Sequence, residues 1–259
     1  MKVITSADNV RFRNLLKLAQ SSRERKHSGL SLLDGVHLVE AYQRHLGRPD
    51  ELVVTRSGLD SSEVQSLISA AGGDALILAD GLFRQLSSVA TPTGIIAVVP
   101  TPRVVMPERL AGASVWLEDI QDPGNLGSIL RSASAAGITT ICLSMRSVHA
   151  WSPRVLRAGM GAHFALQIIE GLDLVELADR YDGRLVATGL NAKKTVYDTD
   201  LRGDVALLFG NEGAGLSAAL GAKAQLEVCI PMPGVAESLN VGAAAAICLF
   251  ERVRQLRAQ

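Results

Sequence analysis

From Leu30 onward the chain keeps changing its hydrophobic period. The short apolar runs "LSLLD", "ELVVT", "ALILA" and "GIIAVV" alternate with "VHLVEAYQRHL", "SEVQSLISAA" and "GLFRQLSSV", in which apolar residues recur at three and four. The runs read as strands and the intervening stretches as helices. The pattern stops at "PTPRVVMPERLAG", where Pro100, Pro102 and Pro107 punctuate a segment without periodicity, as in a linker. It then restarts with longer elements. "SVWLEDI", "TTICLS", "ALQIIE", "RLVATGL", "VALLFG" and "LEVCIPM" read as strands. A helix is expected from about Leu126 to Ala136, closed by Gly137, and the last helix lies in "SLNVGAAAAICLFERVRQL". Strands separated by helices confine the second half to the α/β class, with a mostly parallel sheet covered by helices on both faces. In such sheets ligands bind outside the carboxyl ends of the strands.

A chain of 259 residues, 47% of them hydrophobic, can build one large core or two modest ones. Cys142, Cys229 and Cys248 are widely spaced in apolar runs and read as buried free thiols rather than a disulfide or metal site, which suits a reducing cytoplasm. The first residues, Met1 to Arg13, are polar and lack the apolar core of a secretory signal. The apolar run "VGAAAAICLF" is far shorter than the ~20 residues that cross a bilayer, so no membrane association is expected. Formal net charge is zero, yet the charge is unevenly placed. Seven basic residues between Met1 and Leu30 (Lys2, Arg11, Arg13, Lys17, Arg23, Arg25, Lys26) face only Asp8 and Glu24. Arg146, Arg154 and Arg157 form a second cluster without acids. Phosphate binding and a solvated surface explain such clusters equally well.

Three turns after expected strands stand out. In "LEDIQDPGNLGSILRSASAAG", Asn125 is placed to cap a helix that bears Arg131. In "FGNEGAGLS", Gly210, Gly213 and Gly215 surround Glu212, although the spacing is neither G-x-G-x-x-G nor a P-loop. In "IPMPGVAESLNVG", a Pro-Gly loop leads through Ser238, Leu239 and Asn240 into the last helix. Taken singly, each is explained as a helix cap or a tight connection.

Taken together and in this order, "NLGSILRSA", "GNEGAGLS" and "IPMPGVAESLNVGAAAAICLFE" resemble the three signature motifs of the SpoU (TrmH-like) family of RNA ribose 2′-O-methyltransferases in the SPOUT superfamily. The segment "ITSADNVRFRNLLKLAQSSRERKHSGLSLLDGVHLVEA" resembles the substrate-binding domain that precedes the catalytic domain in many members. The resemblance implies a smaller α/β (L30e-like) RNA-binding domain over residues 1–103, a linker over 104–112, and a catalytic domain over 113–259 whose sheet carries a deep trefoil knot. It also implies a homodimer with sites at the interface, and S-adenosylmethionine held in the knotted loops.

By motif position, Gly210, Ile230 and Leu239 are expected on the cofactor, with Gly189, Phe209, Met232 and Ala243 as neighbours. Arg131 matches the family's catalytic arginine. A guanidinium is a poor general base, so a role in orienting phosphate and stabilising the alkoxide is preferred, with the proton lost to phosphate or water. Asn125 is expected to orient Arg131 or the ribose, and Glu212 to pin the loops. Ser238 and Asn240 are expected to bind the target nucleotide or shape the knot. RNA contacts are assigned to Arg11, Arg13, Arg23, Arg25, Lys26, Arg154 and Arg157. Aromatic residues make up only 4% of the chain, so phosphate contacts should outweigh base stacking. The appended domain favours 23S ribosomal RNA over transfer RNA as substrate. A non-catalytic RNA-binding or ribosome-assembly module on the same fold is the alternative. A dinucleotide-dependent oxidoreductase lacks its glycine fingerprint here.

Overall fold

A computed structural model describes residues 3–258; Lys2, counted in the first basic cluster, lies outside them. The chain divides into two compact units, Met1–Arg103 with Trp151–Phe164, and Val104–Ala150 with Ala165–Gln259.

The first unit begins with β1 (Val3–Ile4), α1 (Val10–Gln20), α2 (Ser22–Ser28), β2 (Leu30–Asp34) and α3 (Val36–Leu46). It continues with β3 (Glu51–Thr55), α4 (Ser62–Ala71), β4 (Leu76–Leu78), α5 (Asp80–Leu86) and β5 (Ile95–Pro100). Its sheet runs β1-β4-β3-β5-β2, and β5 is antiparallel to both its neighbours. Asn9 starts α1 by accepting hydrogen bonds from the backbone N–H groups of Arg11 and Phe12. The helix then buries Phe12, Leu15 and Leu18 against Leu32, Val53, Leu78, Phe83 and Ile96. Each such side chain contributes roughly 1.5–3 kcal/mol through removal from water.

Arg25, assigned to RNA by its charge, belongs to this architecture instead. It is only 4% exposed, and its Nη1 donates to the carbonyls of Leu18 (2.6 Å) and Ala19 (3.2 Å) at the end of α1. The last carbonyls of a helix have no partner within it, and a buried guanidinium supplies one. Burial lowers the Arg25 pKa from its ordinary value.

The second unit opens with β6 (Ser114–Leu117), α6 (Pro123–Ala135) and β7 (Thr140–Ser144). The chain next contributes α7 (Pro153–Gly159) to the first unit, where it packs on β2. The same segment sets Phe164 edge-on to Tyr42, with ring centroids 5.5 Å apart. The second unit resumes with β8 (Gln167–Leu172), α8 (Leu174–Ala178), β9 (Arg184–Thr188) and β10 (Lys194–Thr195). It ends with β11 (Val205–Phe209), α9 (Ala218–Gly221), β12 (Leu226–Cys229) and α10 (Val241–Arg257).

All pairings in its seven-stranded sheet are parallel, in the order β10-β12-β9-β11-β6-β7-β8. One face packs Trp116, Cys142, Leu185 and Leu208 against Leu174 and Leu177 of α8 and Leu220 of α9. On the other side α10 packs on α6 and on β11. The Gly/Ala-rich start of α10 makes this packing close: a Cβ on Gly242 would lie 3.4 Å from Ser128 Oγ of α6. Cys142, Cys229 and Cys248 are free thiols. Cys142 and Cys248 are buried and pushed up to about 12 by desolvation, whereas Cys229 is only half-buried. Among the described residues no helix is long and apolar enough to cross a membrane.

The strand order decides where a ligand can enter. From β6 the chain builds outward through β7 to β8, whereas β11 lies on the opposite side of β6. The loops leaving the carboxyl ends of β6 and β11 therefore part at a topological switch point, the position where open α/β sheets bind ligands. Two of the three unusual turns of the sequence leave from these strands.

Candidate functional site

Asp122 caps α6, accepting from the backbone N–H of Asn125 at 2.8 Å, and Pro123 occupies the first helical turn. This corrects the sequence expectation that Asn125 is the cap. Asn125 lies one turn further in, and its side chain is released for other partners. Asn125 Nδ2 donates to Glu212 Oε1 at 3.0 Å, and Asn240 Nδ2 donates to Asn125 Oδ1 at 2.7 Å. Asn240 in turn caps α10, its Oδ1 accepting from the N–H groups of Gly242 (2.9 Å) and Ala243 (3.3 Å).

The polarity of this chain leaves no freedom. Helix N–H groups only donate and an ionised carboxylate only accepts, so both amides between them must point one way. Three loops distant in sequence are thereby locked into one hydrogen-bonded unit.

Glu212 also accepts from the backbone N–H groups of Gln121 (3.3 Å) and Asp122 (3.2 Å). Partial desolvation pushes its carboxyl upward, but hydrogen bonds from Asn125 and from the backbone of Glu212, Asp122 and Gln121 outweigh it, and the net direction is down. A carboxylate held this way serves as a fixed acceptor, not as a base. Because its folded pKa is depressed, its contribution to stability is present above the ordinary value of 4.5 and is lost as pH falls through the folded value. Thermal unfolding from pH 8 to 5 should therefore show no decline from this group. Below pH 4.5 the wild type should lose stability faster than Glu212→Gln; parallel acid profiles would refute the pinning role.

The glycine turn is closed on itself. Asn211 and Gly215 exchange backbone hydrogen bonds of 3.0 and 2.9 Å, and Asn211 Oδ1 accepts from the N–H groups of Gly213 and Ala214. Gly215 takes φ +70°, open to glycine at no steric cost. Asn211 Nδ2 reaches the carbonyl of Asp119 at 2.9 Å, while Glu118 accepts from Ser217 N and Oγ, both at 2.7 Å. Asp119, with φ +56°, pairs with Arg146 and accepts from Ser144 Oγ at 2.7 Å. Glu118, Asp119 and Asn211 were not singled out from sequence. Their signal was only adjacency, in "LEDIQD" and "FGNEG".

Behind the turn lies a cavity of about 720 Å³ between the carboxyl ends of β9, β11 and β12. Of the expected cofactor residues, Gly189, Ile230, Met232 and Leu239 line it, beside Leu190, Leu216 and the backbone of Gly213–Ser217. Gly210, Phe209 and Ala243 do not. Phe209 is buried in β11 and points into the core. Ala243 faces outward, and Ala244 lines the cavity in its place. Gly210 acts one layer away, where its bare Cα lets the Gly215 and Leu216 backbone close over it.

Among the described residues the lining carries no lysine, arginine or histidine. A phosphate-bearing dinucleotide would therefore meet no counter-charge. The apolar walls and exposed backbone groups instead fit a nucleoside that is neutral or cationic, as S-adenosylmethionine is. The volume is within the 300–1,000 Å³ range typical of small-molecule sites.

Arg131 and Ser238 stand apart from the network. Both are exposed, and neither side chain has a hydrogen-bond or ion-pair partner among the described residues. Arg131 lies six positions beyond Asn125 on α6 and hence about 120° around the helix. Of the residues assigned to RNA, Arg23, Lys26, Arg154 and Arg157 are exposed, and all four belong to the first unit. Arg11 pairs with Glu51, and Arg13 donates to the carbonyl of Asp8 at 2.8 Å.

The chain is similar to known proteins over nearly its whole length. Residues 112–250 match the SpoU rRNA Methylase family, and residues 9–97 match the MRM3-like substrate binding domain. The 23S rRNA (guanosine(2553)-2′-O)-methyltransferase RlmP of Bacillus subtilis is 32% identical over 96% of this chain and 98% of its own length. The AdoMet complex of the SpoU methyltransferase AviRb from Streptomyces viridochromogenes superposes with a TM-score of 0.85 at 28% identity, over 96% of this chain and 99% of its own. The AdoMet-bound rRNA methyltransferase of Sinorhizobium meliloti gives a TM-score of 0.84 at 27% identity, over 98% of both chains. The chain belongs to the SpoU rRNA methylase family and is an S-adenosylmethionine-dependent RNA methyltransferase.

Proposed function

We propose that this protein methylates the 2′-hydroxyl of a ribose in 23S ribosomal RNA. The observation that carries this reading is the chain of hydrogen bonds from α10 through Asn240 and Asn125 to Glu212, set beside a cavity without basic side chains. RlmP of Bacillus subtilis, similar over nearly its whole length, bears the corresponding activity in its name.

When bound, S-adenosylmethionine supplies an electrophilic methyl group on a sulfonium. Gly189, Ile230, Met232 and Leu239 would hold it, with the Gly213–Ser217 backbone as the opposite wall. The attacking hydroxyl must lose its proton and bring its oxygen into line with the methyl carbon. Asn125, fixed at both ends, positions the loops that define this line. Arg131 supplies a permanent positive charge for the substrate phosphate and the developing alkoxide, and the proton leaves to phosphate or water. Ser238 contacts the target nucleotide.

The placement of Arg131, exposed and turned away from Asn125, supports a homodimer in which a second copy completes the site. The loops around β12 and α10 are the segments that would form the trefoil knot. The first unit binds RNA, and the cytoplasm, where ribosomal RNA is available, is the working compartment.

The test is methyl transfer from labelled S-adenosylmethionine to unmodified 23S rRNA and to bulk tRNA, read as alkali-resistant dinucleotides. Label in such dinucleotides from rRNA supports the proposal. Transfer to tRNA alone keeps the chemistry and replaces the substrate; binding of both RNA and cofactor without transfer favours the non-catalytic module.

RNA recognition has its own test. Deleting residues 1–105 would strip α7 of the sheet it packs on, so charge substitutions are cleaner. The triple variant Lys26→Ala, Arg154→Ala, Arg157→Ala should bind RNA more weakly and lower the slope of log affinity against log salt by about two to three. An unchanged slope would remove these side chains from the interface.

A further inference from the structure

Among the described residues lining the cavity, Glu227 alone is ionisable. It lies on β12, where Val228 is buried and faces the core, so alternation turns Glu227 to the opposite side. The register sets Glu227 beside Ala187 and Val228 beside Thr188 on β9, which makes Ala187 and Gly189 its same-face neighbours. Neither offers a side-chain donor, and the Gly189 N–H is already given to the Val228 carbonyl at 3.0 Å. The Glu227 side chain is exposed and has no hydrogen-bond or ion-pair partner among the described residues. Its carboxylate nevertheless leans directly over Gly189. A Cβ built on that glycine would fall 2.3 Å from Glu227 Oε1 and 3.2 Å from its Cδ, so any larger residue there would displace it.

We propose that Glu227 is a further cofactor-binding residue whose carboxylate accepts both hydroxyls of the adenosyl ribose. This rests on the cavity being the S-adenosylmethionine site. A carboxylate accepts at two oxygens and donates at none, and a vicinal diol presents two donors at matching separation. The same chemistry recurs where an acidic side chain at a strand end takes the ribose hydroxyls of a dinucleotide. Here the acid comes from β12, and the missing side chain of Gly189 leaves the space in which the carboxylate itself lies at the cavity wall. The bare glycine and the unpartnered acid are thus two halves of one recognition element.

The experiment is calorimetric titration of the full-length protein with S-adenosylhomocysteine and with its 2′-deoxy analogue. Wild type should bind the deoxy compound about tenfold more weakly or worse, the range for hydrogen bonds to a charged acceptor. In Glu227→Ala the two ligands should bind alike, and Glu227→Gln should retain part of the discrimination, with unfolding temperatures of both variants near wild type. Equal affinities in wild type, or full discrimination surviving in Glu227→Ala, would overturn the proposal. An equal loss for both ligands in Glu227→Ala would also overturn it, by placing the carboxylate on another donor such as the amino group of the amino-acid tail. Leu239→Trp separates this from failure of the site itself. If that bulky wall residue left S-adenosylhomocysteine affinity unchanged, the cavity would not be the cofactor site.

Discussion

Replacing Arg131 by Ala is expected to reduce methyl transfer by about 10²–10³-fold, the range measured for loss of one preorganised stabiliser of developing negative charge. Cofactor affinity should stay within about twofold, because Arg131 lies outside the cavity lining; a change of that size is small beside the 1.4 kcal/mol of a tenfold effect. Folding should be untouched, since the side chain is exposed and makes no hydrogen bond or ion pair among the described residues. Arg131→Lys separates charge from geometry: an ammonium keeps the charge but loses the planar fork that matches a phosphate. Partial rescue by lysine would indicate an electrostatic role, and no rescue a bidentate one. Near-normal turnover in Arg131→Ala would take the residue out of the mechanism.

Gly210→Ala should be the most damaging single methyl addition in the second unit. The new Cβ would fall 2.1 Å from Gly215 C, 2.2 Å from Leu216 N and 2.3 Å from Gly215 O. All three atoms are backbone, so no side chain can swing away. The turn must open, breaking the paired hydrogen bonds between Asn211 and Gly215 and shifting one wall of the cavity. A stability loss of about 1–3 kcal/mol is expected from overpacking, with S-adenosylmethionine affinity down by at least about tenfold, or ~1.4 kcal/mol.

Gly213→Ala is the internal control. Its Cβ would meet only Asn211 Oδ1, at 3.6 Å, and it should unfold like wild type. Equal stability of the two variants would show that the turn tolerates rearrangement.

Much of the architecture was legible in the sequence, since hydrophobic period is a local property. The helices Val36–Leu46 and Ser62–Ala71 and the strands Leu30–Asp34 and Glu51–Thr55 end where their patterns end. The two-residue strands β1 and β10 escaped, as two residues cannot display a period. Capping preference could not choose between Asp122 and Asn125, three positions apart; Pro123, favoured at the first helical position, points to Asp122. Charge pattern misplaced Arg25, because a formal charge does not reveal that two helix carbonyls lie within reach.

The sequence by itself determined the alternation of strands and helices, the three motif-bearing loops and the identities of Asn125, Glu212 and Asn240. Tertiary structure decided that one hydrogen-bond chain runs through those three, because donor and acceptor direction exist only once residues 87 and 115 positions apart are brought together. It also decided that Trp151–Phe164 packs with the first unit, since a helix with an apolar stripe matches any apolar partner and only the assembled surfaces select one. Glu227 shows the difference most directly. In sequence it is one acid in a strand, and only the register that sets it over Gly189 gives its carboxylate a ligand to meet.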